Sequence, residues 1–247
     1  TFLPMPTAHG LFHKAIIQSG STIKQSLPET TRPAGLRFAK ELGLTAANPE
    51  KAKQYTYEEL LAAYERSNKV ADSPISGLRL LGSPVVDGHV CLKSFDDAAV
   101  SGTLADVPYM IGYTLNDMGN MAPGVAAFAL DRESKGAKCW AYEFARPLPD
   151  DGSHPEVTAR LKGAFHSSDL WFVFKSLKHC WRPWTKGDWD LSEKMLSAWT
   201  NFAKYSDPNG PDGGVWTPYT SATPSFMLFK LDAADVENSE MGQPIKP

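Results

Sequence analysis

A histidine that could transfer protons lies in the second half of the chain. His166 follows the small residues Gly163 and Ala164 and precedes a strongly apolar stretch at residues 170–174. Histidine is the side chain whose ordinary pKa lies nearest to neutrality, so it commonly serves as a general acid and base. A carboxylate, Asp169, follows three positions later. Taken alone, such a histidine could equally be a core residue that closes a loop, so its surroundings decide the interpretation.

Those surroundings include four further stretches with recognisable patterns in a fixed order. Together with the histidine segment, they are residues 10–21 (GLFHKAIIQSGS), 84–88 (PVVDG), 111–117 (IGYTLND), 163–174 (GAFHSSDLWFVF) and 199–209 (WTNFAKYSDPN). The set resembles the type-B carboxylesterase family, the serine esterases that include the cholinesterases. In the histidine segment, Gly163, His166 and Leu170 match the family pattern, and Asp169 stands where the family has glutamate.

The resemblance implies the α/β-hydrolase fold and carboxylic ester hydrolysis through an acyl-enzyme, with His166 as the general base and acid. The family carries its acid in a Gly-x-Thr-x-x-Glu-Gly segment. Aligning Gly112 and Thr114 with that segment makes Asp117 the acid, although Met118 replaces the last glycine. The resemblance places Asp169 behind this pair as a buried support, and Asp169 could also cap the following helix. The alternative for Asp117 is a plain turn former at the end of a strand.

The serine nucleophile is missing from the pattern. A Gly-x-Ser-x-Gly turn would expose such a serine, and the nearest sequence, Gln18-Ser19-Gly20-Ser21, lacks the leading glycine. The Gly-Gly segment that supplies oxyanion-hole amides is also absent, since Gly213-Gly214 lies in a late loop. We therefore expect residues 1–247 to be the C-terminal portion of one α/β-hydrolase domain, with the nucleophile in the N-terminal portion. A complete protein that lost its catalytic half is the alternative.

The spacing between Asp117 and His166 is short for this family, whose members usually carry a longer helical segment there. We expect either missing residues near 121–124 or a reduced cap in this protein.

The composition of the chain excludes several classes of protein. The chain has 247 residues, 42% of them hydrophobic, and a net charge of −3. Without a basic stripe we expect no nucleic-acid partner, and without eighteen consecutive apolar residues we expect no membrane span. The three cysteines, Cys91, Cys139 and Cys180, fit neither a disulfide framework nor a zinc site. They favour a bacterial or intracellular setting. His9 and His13 lack further ligands, and the expected reaction needs no metal or organic cofactor.

Strands alternating with helices predict an α/β domain with a mostly parallel sheet. The predicted strands are residues 14–18, 107–114, 138–145 and 225–231, and the predicted helices are residues 31–42, 56–66, 155–162, 170–176 and 190–205. In the helix predicted at residues 31–42, Pro33 suits the first turn and Gly43 marks the end. Thr56 and Glu59 form a capping-box pattern, and Asp190 is the expected cap of the last helix. Asp87 and Gly88 predict a turn. From residue 232 onward the polar sequence predicts a loosely held tail.

The aromatic residues after His166 are candidates for a substrate pocket. Trp171 and Phe172 follow it closely and could contact the acyl or alcohol group of an apolar ester. Two rival functions use the same residues differently. A cholinesterase-like adhesion or binding module would keep the fold without catalysis, and a related hydrolase would cleave amide or carbamate bonds with the same triad.

Overall fold

A twisted, mostly parallel sheet organises the chain. The computed structural model describes residues 2–20, 27–68, 84–231 and, for the backbone alone, 244–245. The strands are β1 (Ala15–Gln18), β2 (Tyr109–Thr114), β3 (Cys139–Phe144), β4 (Phe226–Phe229) and β5 (Pro244–Ile245). They lie side by side in chain order; β1 to β4 are parallel and β5 runs antiparallel to β4. The four strands predicted from the sequence are therefore confirmed, each within two residues at either end.

The central strands are covered on both faces. Every residue of β2 is buried, and so are five of the six residues of β3. This explains their continuous apolar sequences, because a parallel strand packed on both sides has no solvent face to alternate with. Strand β1 is only half-buried along its length. In the described part of the chain it pairs with β2 alone, so its other edge carries no strand.

The described residues form seven helices. They are α1 (Pro28–Glu41), α2 (Tyr57–Asn68), α3 (Phe95–Val100), α4 (Ala122–Ser134), α5 (Pro155–Thr158), α6 (Leu170–Val173) and α7 (Lys186–Tyr205). Helix α4 packs on β2 and β3, and α6 packs on α7. Short 3₁₀ turns lie at Pro6–Ala8, Pro49–Gln54 and Leu177–His179.

Two predicted helix ends are confirmed in detail. Thr56 and Glu59 exchange hydrogen bonds between side chain and backbone at the start of α2, as the capping-box pattern requires. Gly43 ends α1 with φ +63°, a conformation that costs glycine little because it lacks a Cβ. Helix α1 itself begins at Pro28, three residues before the predicted start, so Pro33 lies inside it and not in its first turn.

The predicted start of α7 is wrong. The helix begins at Lys186, and its cap is Thr185, whose side chain accepts from the Asp188 backbone while the Asp188 carboxylate accepts from Thr185. Asp190 lies inside the helix and pairs with Lys186 at 2.5 Å. Pro183 and Gly187 made this turn resemble a loop in the sequence. The Asp188 carboxylate also holds Arg146, which donates from Nε at 2.7 Å.

Helices α5 and α6 are shorter than predicted, ending at Thr158 and Val173. Asp87 forms the predicted turn, since its Oδ1 accepts the backbone N–H groups of residues 89, 90 and 91 at 2.9 Å each. The tail prediction lies mostly outside the described residues, but residues 244–245 pair with β4 instead of lying free.

The main core lies between the sheet and α7. One face of α7 is buried as its sequence pattern predicts, through Leu191, Met195, Ala198, Trp199 and Phe202. Aromatic rings dominate the packing, with Tyr142 of β3 at 4.9 Å from Trp199 and 6.1 Å from Phe229, measured between ring centroids. Large aromatic contacts of this kind contribute much of the buried apolar area.

Neighbouring strands approach closely at one glycine. Gly112 of β2 lies opposite Tyr142 of β3 in the sheet register. A Cβ added to Gly112 would collide with the Tyr142 ring. The absence of a side chain at residue 112 therefore allows the ring to lie over β2.

The chain divides into two compact units. One comprises Thr1–His9 and Ile23–Ala105, and within it α1 and α2 pack together and Glu41 pairs with Arg66 at 2.9 Å. The other comprises Gly10–Thr22 and Asp106–Pro247 and contains the whole sheet. His166, Asp117 and Asp169 all belong to this second unit.

Candidate active site

Two loops at the carboxyl ends of β2 and β3 bring Asp117 and His166 together. Asn116 joins them: its backbone N–H donates to Ala164 O at 2.9 Å, and its side-chain Oδ1 accepts from Ala164 N at 3.0 Å. Gly163 has φ +67°, and a Cβ there would collide with the Asn116 side chain. Glycine at residue 163 therefore serves both the turn and the close contact between the loops. The sequence did not predict a role for Asn116, because no local pattern indicates its contact with Ala164, which lies 48 residues away in the chain.

The two side chains share a short hydrogen bond. His166 Nδ1 lies 2.7 Å from Asp117 Oδ1. The Asp117 side chain is 1% exposed, whereas that of His166 is 40% exposed. With Nδ1 engaged, Nε2 of the same ring has no hydrogen-bond partner among the described residues. This tautomer presents an unprotonated Nε2 that can accept a proton.

The Asp117 carboxylate is held by several donors. Oδ1 also accepts the Met118 N–H at 2.8 Å, and Oδ2 accepts from the Thr114 N–H at 3.3 Å and the Thr114 hydroxyl at 3.1 Å. Burial on its own raises the pKa of Asp117, but hydrogen bonds from Ser19, Met118, His166 and Thr114 outweigh it and hold the pKa below its ordinary value. The group is therefore a carboxylate at neutral pH and can stabilise a positively charged imidazole.

Ser19 belongs to this site, although not as a serine attacking a substrate. It follows β1, has φ +58° and is 6% exposed. Its hydroxyl donates to Asp117. No serine of the described residues hydrogen-bonds His166. The serine that came nearest to a nucleophile pattern thus serves the carboxylate, a role that sequence reasoning missed.

Asp169 lies behind the pair and does not contact His166. It is 1% exposed, and its Oδ2 accepts from Gln18 Nε2 at 2.9 Å and from the Tyr142 hydroxyl at 3.1 Å. Burial raises the pKa of Asp169; these two hydrogen bonds counteract it, and the nearby charge of Asp117 adds to the rise. The predicted capping role is wrong, because the Asp169 side chain makes no hydrogen bond to the first turn of α6.

The two aromatic candidates differ from each other. Phe172 is fully buried, 5.0 Å from Phe144 and 5.7 Å from Trp184 between ring centroids, so it belongs to the core and offers no surface to a ligand. Its predicted place in a pocket is corrected accordingly: the short helix α6 turns it inward. Trp171 is partly buried against the same core. Met118, which follows Asp117 in the chain, is an apolar side chain that reaches solvent, with 66% of its surface exposed.

The described residues contain no cluster of three or more histidine, cysteine or acidic side chains arranged to hold a metal ion. Cys91 and Cys139 are buried thiols and Cys180 is a half-buried one; burial raises the pKa of Cys91 and raises that of Cys139 to about 12. None of the described helices combines the length and the apolar character that a membrane crossing requires.

Comparison with known proteins settles the family. The profile described as the Carboxylesterase family matches residues 1–127 and 120–245. The chain belongs to the carboxylesterase family. The resemblance that five sequence stretches suggested is thereby confirmed. The carboxylesterase profile matches in two pieces that meet at residues 120–127.

Relatives of this carboxylesterase chain come from animals and bacteria. It is 33% identical to human bile salt-activated lipase over 125 residues, which cover 48% of the chain and 16% of the lipase. It is 26% identical to cat carboxylesterase 5A, covering 92% of the chain and 52% of that protein. It is 25% identical to the para-nitrobenzyl esterase of Bacillus subtilis, covering 99% and 59%. Across such full-length matches the chain spans little more than half of its relatives.

Solved structures show the same fold. A thermophilic PNB esterase superposes with a TM-score of 0.73 at 20% identity, covering 93% of this chain and 56% of the esterase. Carboxylesterase EST55 of Geobacillus stearothermophilus, solved at pH 6.8, gives 0.69 at 21% identity with the same coverage. The chain therefore has the α/β-hydrolase fold, as its parallel sheet and flanking helices indicate.

Proposed function

We propose that this chain supplies the base and the acid of a serine carboxylesterase, with His166 as general base and acid and Asp117 as the carboxylate that orients it. The observation that carries the proposal is the 2.7 Å contact between His166 Nδ1 and a buried Asp117, which leaves Nε2 open. Family membership supports carboxylic ester hydrolysis as the reaction. The nucleophilic serine and the oxyanion amides come from sequence outside these 247 residues.

In the proposed reaction, Nε2 of His166 accepts the proton of the serine hydroxyl as its oxygen bonds to the ester carbonyl carbon. Asp117 stabilises the resulting imidazolium through Nδ1–H. The ring then donates its proton from Nε2 to the alcohol oxygen as the ester C–O bond breaks, which leaves an acyl-enzyme. A water oxygen then bonds to the acyl carbon while Nε2 of His166 accepts a proton from the water. The ring returns this proton to the serine oxygen as the bond between the acyl carbon and that oxygen breaks, which releases the carboxylic acid.

A histidine comparison tests the proposal. In the full-length enzyme, His166→Ala should lower kcat for para-nitrophenyl acetate by about three orders of magnitude or more, because no other group can take the serine proton. His179→Ala is the matched control, since His179 is exposed and lies on the 3₁₀ turn away from Asp117. Its activity should equal the wild type. Activity retained by a folded His166→Ala variant would contradict the assignment, whereas a full-length wild type without esterase activity would favour a binding module.

We further propose that the connection between β2 and β3 is shortened relative to other family members. The crossover comprises residues 115–138 and contains a single helix, α4, of 13 residues. The two profile matches meet at the start of this helix, and the match to the Bacillus esterase extends over 300 positions, more than this chain contains. Sequencing the coding region across residues 118–126 tests this proposal. Additional codons within this region would show that residues are missing from the sequence and that the connection is not shortened.

A further inference from the structure

A cleft opens on the surface beside the loop that leads into His166. Its volume is about 380 Å³. Part of its lining is formed by residues 158, 159 and 161–163, and another part by Leu148, Asp150 and Arg182. All of these residues belong to the unit that holds the sheet. The cleft shares none of its lining with Asp117, His166 or Asp169, so it is a separate feature.

The unusual residue of this cleft is a buried arginine without a carboxylate. Arg182 is 6% exposed, and its Nη1 donates to Pro149 O at 2.8 Å. In the part of the chain that the structure describes, no acidic side chain lies within ion-pair distance of it. Buried guanidinium groups are normally paired with carboxylate or phosphate oxygens, often through two parallel hydrogen bonds. Arg146 shows the usual case, because it is paired with Asp188.

The guanidinium of Arg182 is held in place by aromatic rings. Its Cζ lies 4.8 Å from the ring centroid of Trp181 and 5.9 Å from that of Phe165. Trp181 in turn stacks on His154 with centroids 4.1 Å apart. Arginine stacked in this way keeps a fixed orientation for its donor fork, which lowers the entropy lost when an anion binds.

The other lining residues define the ligand. Lys162 adds a second positive charge, and the single acid, Asp150, already accepts the Gly152 N–H at 3.0 Å. Leu148, Ala159 and Leu161 supply apolar walls. We propose that this cleft binds an aliphatic carboxylate, whose head group pairs with Arg182 and Lys162 while its chain lies against the apolar walls.

A ligand in this cleft would touch the segment that positions His166. Gly163 lines the cleft and stands next to Ala164, which is bonded to Asn116 through both its N–H and its carbonyl. Phe165, the residue before His166, lies under the Arg182 guanidinium. The binding proposal does not depend on the catalytic assignment of His166.

Isothermal titration calorimetry with sodium hexanoate tests the proposal on the intact protein. Arg182→Gln and Ala159→Trp should each raise the Kd by about tenfold or more, the first by removing the charged donor and the second by filling the cleft. Ala159 is exposed, so its variant remains informative where Arg182→Gln does not fold. Lys162→Ala should weaken binding by a smaller factor. Hexanoate bound near His166 instead would be unaffected by Ala159→Trp, and that result would overturn the proposal.

Two controls separate recognition from general effects. Arg160→Ala removes the same charge from an exposed residue of the same segment that does not line the cleft, and it should leave the Kd unchanged. Hexanol, which lacks the charge, and acetate, which lacks the chain, should both bind more weakly than hexanoate. Equal binding of hexanol, an equal loss in Arg160→Ala, or no hexanoate binding at about 10 mM each contradicts the proposal.

Discussion

At the scale of single residues, two carboxylates near one histidine have different environments. Asp117 accepts hydrogen bonds at both oxygens and has a lowered pKa, whereas Asp169 is buried with fewer donors and has a raised pKa. Such opposite shifts commonly separate the roles of neighbouring acids. Here they agree with Asp117 as the partner of His166 and Asp169 as a support behind it.

The first prediction compares the two acids directly. Asp117→Asn should lower kcat of the full-length esterase by about three to four orders of magnitude. The neutral amide favours the wrong tautomer of His166 and cannot stabilise the imidazolium that forms during the reaction. Asp169→Asn should lower it by less than about tenfold, since Asp169 makes no bond to His166 and asparagine keeps an acceptor for Gln18 and Tyr142. Steady-state kinetics with para-nitrophenyl acetate measure both. A larger loss at residue 169 would reverse the roles.

The second prediction concerns stability against pH. Asp169 has a raised pKa, so between the unfolded value of about 4 and the raised value the folded state keeps a proton that the unfolded state has lost. The free energy of unfolding therefore falls as pH rises through this range. Asp169→Asn cannot titrate and should remove that fall, which urea denaturation at a series of pH values measures.

Asp117 has the opposite sign and serves as the control. Its lowered pKa means that its contribution to stability is present above pH of about 4 and is lost as pH falls through the lowered value. In Asp117→Asn, the part of the decrease in unfolding free energy below pH of about 4 that comes from Asp117 should disappear. The decrease with rising pH that comes from Asp169 should remain. Identical pH profiles for the two variants would show that the two environments do not differ as described.

At the scale of elements, the start of α7 combines a cap with an ion pair. Asp188 is fully buried, satisfies Thr185 and pairs with Arg146, which follows β3. One carboxylate thus fixes both the first turn of the longest described helix and the chain leaving the sheet.

The third prediction removes this carboxylate. Asp188→Ala should lower the free energy of unfolding by about 3 kcal/mol, because it leaves Arg146 buried without its partner and removes the cap. Asp190→Ala, two residues later, breaks a surface pair with Lys186 and should cost less than about 1 kcal/mol. Chemical denaturation measures both, and similar losses would contradict the structural distinction between the two residues.

Local patterns in the sequence predicted elements well where the pattern is complete within one segment. The apolar runs of β2 and β3 and the Thr56–Glu59 cap are of this kind. The predicted start of α7 was wrong because Gly187 weakens the helical pattern, and the capping box of Thr185 and Asp188 was overlooked although it lies within one segment. Asn116, Ser19 and Gln18 were missed at the site for a different reason: each acts through a contact that only the folded chain creates.

At the scale of the whole molecule, the chain has the α/β-hydrolase fold and spans little more than half the length of the relatives that it matches almost throughout. The loops that follow β2 and β3 carry the proposed acid and base, and the outer edge of β1 has no partner strand among the described residues. An unpaired strand edge presents backbone N–H and C=O groups with which a further strand can pair.

The fourth prediction locates the nucleophile. A fluorophosphonate probe should label the full-length enzyme at a serine outside these 247 residues and should not label the 247-residue chain by itself. The structural reason is that Ser19, the nearest serine pattern, is 6% exposed and donates to Asp117. Mass spectrometry of the labelled peptide identifies the site. A labelled Ser19, abolished in Ser19→Ala, would place the nucleophile inside the chain.

The glycine at residue 112 links the evolution of the core to that of the site. Because the Tyr142 ring occupies the space of a side chain at Gly112, the two positions cannot vary independently. A larger residue at 112 requires a smaller one at 142, and a smaller one there removes the hydroxyl that Asp169 accepts from. Among homologues, tyrosine at 142 should therefore occur together with glycine at 112, and sequences that lose both should also change the acid at 169.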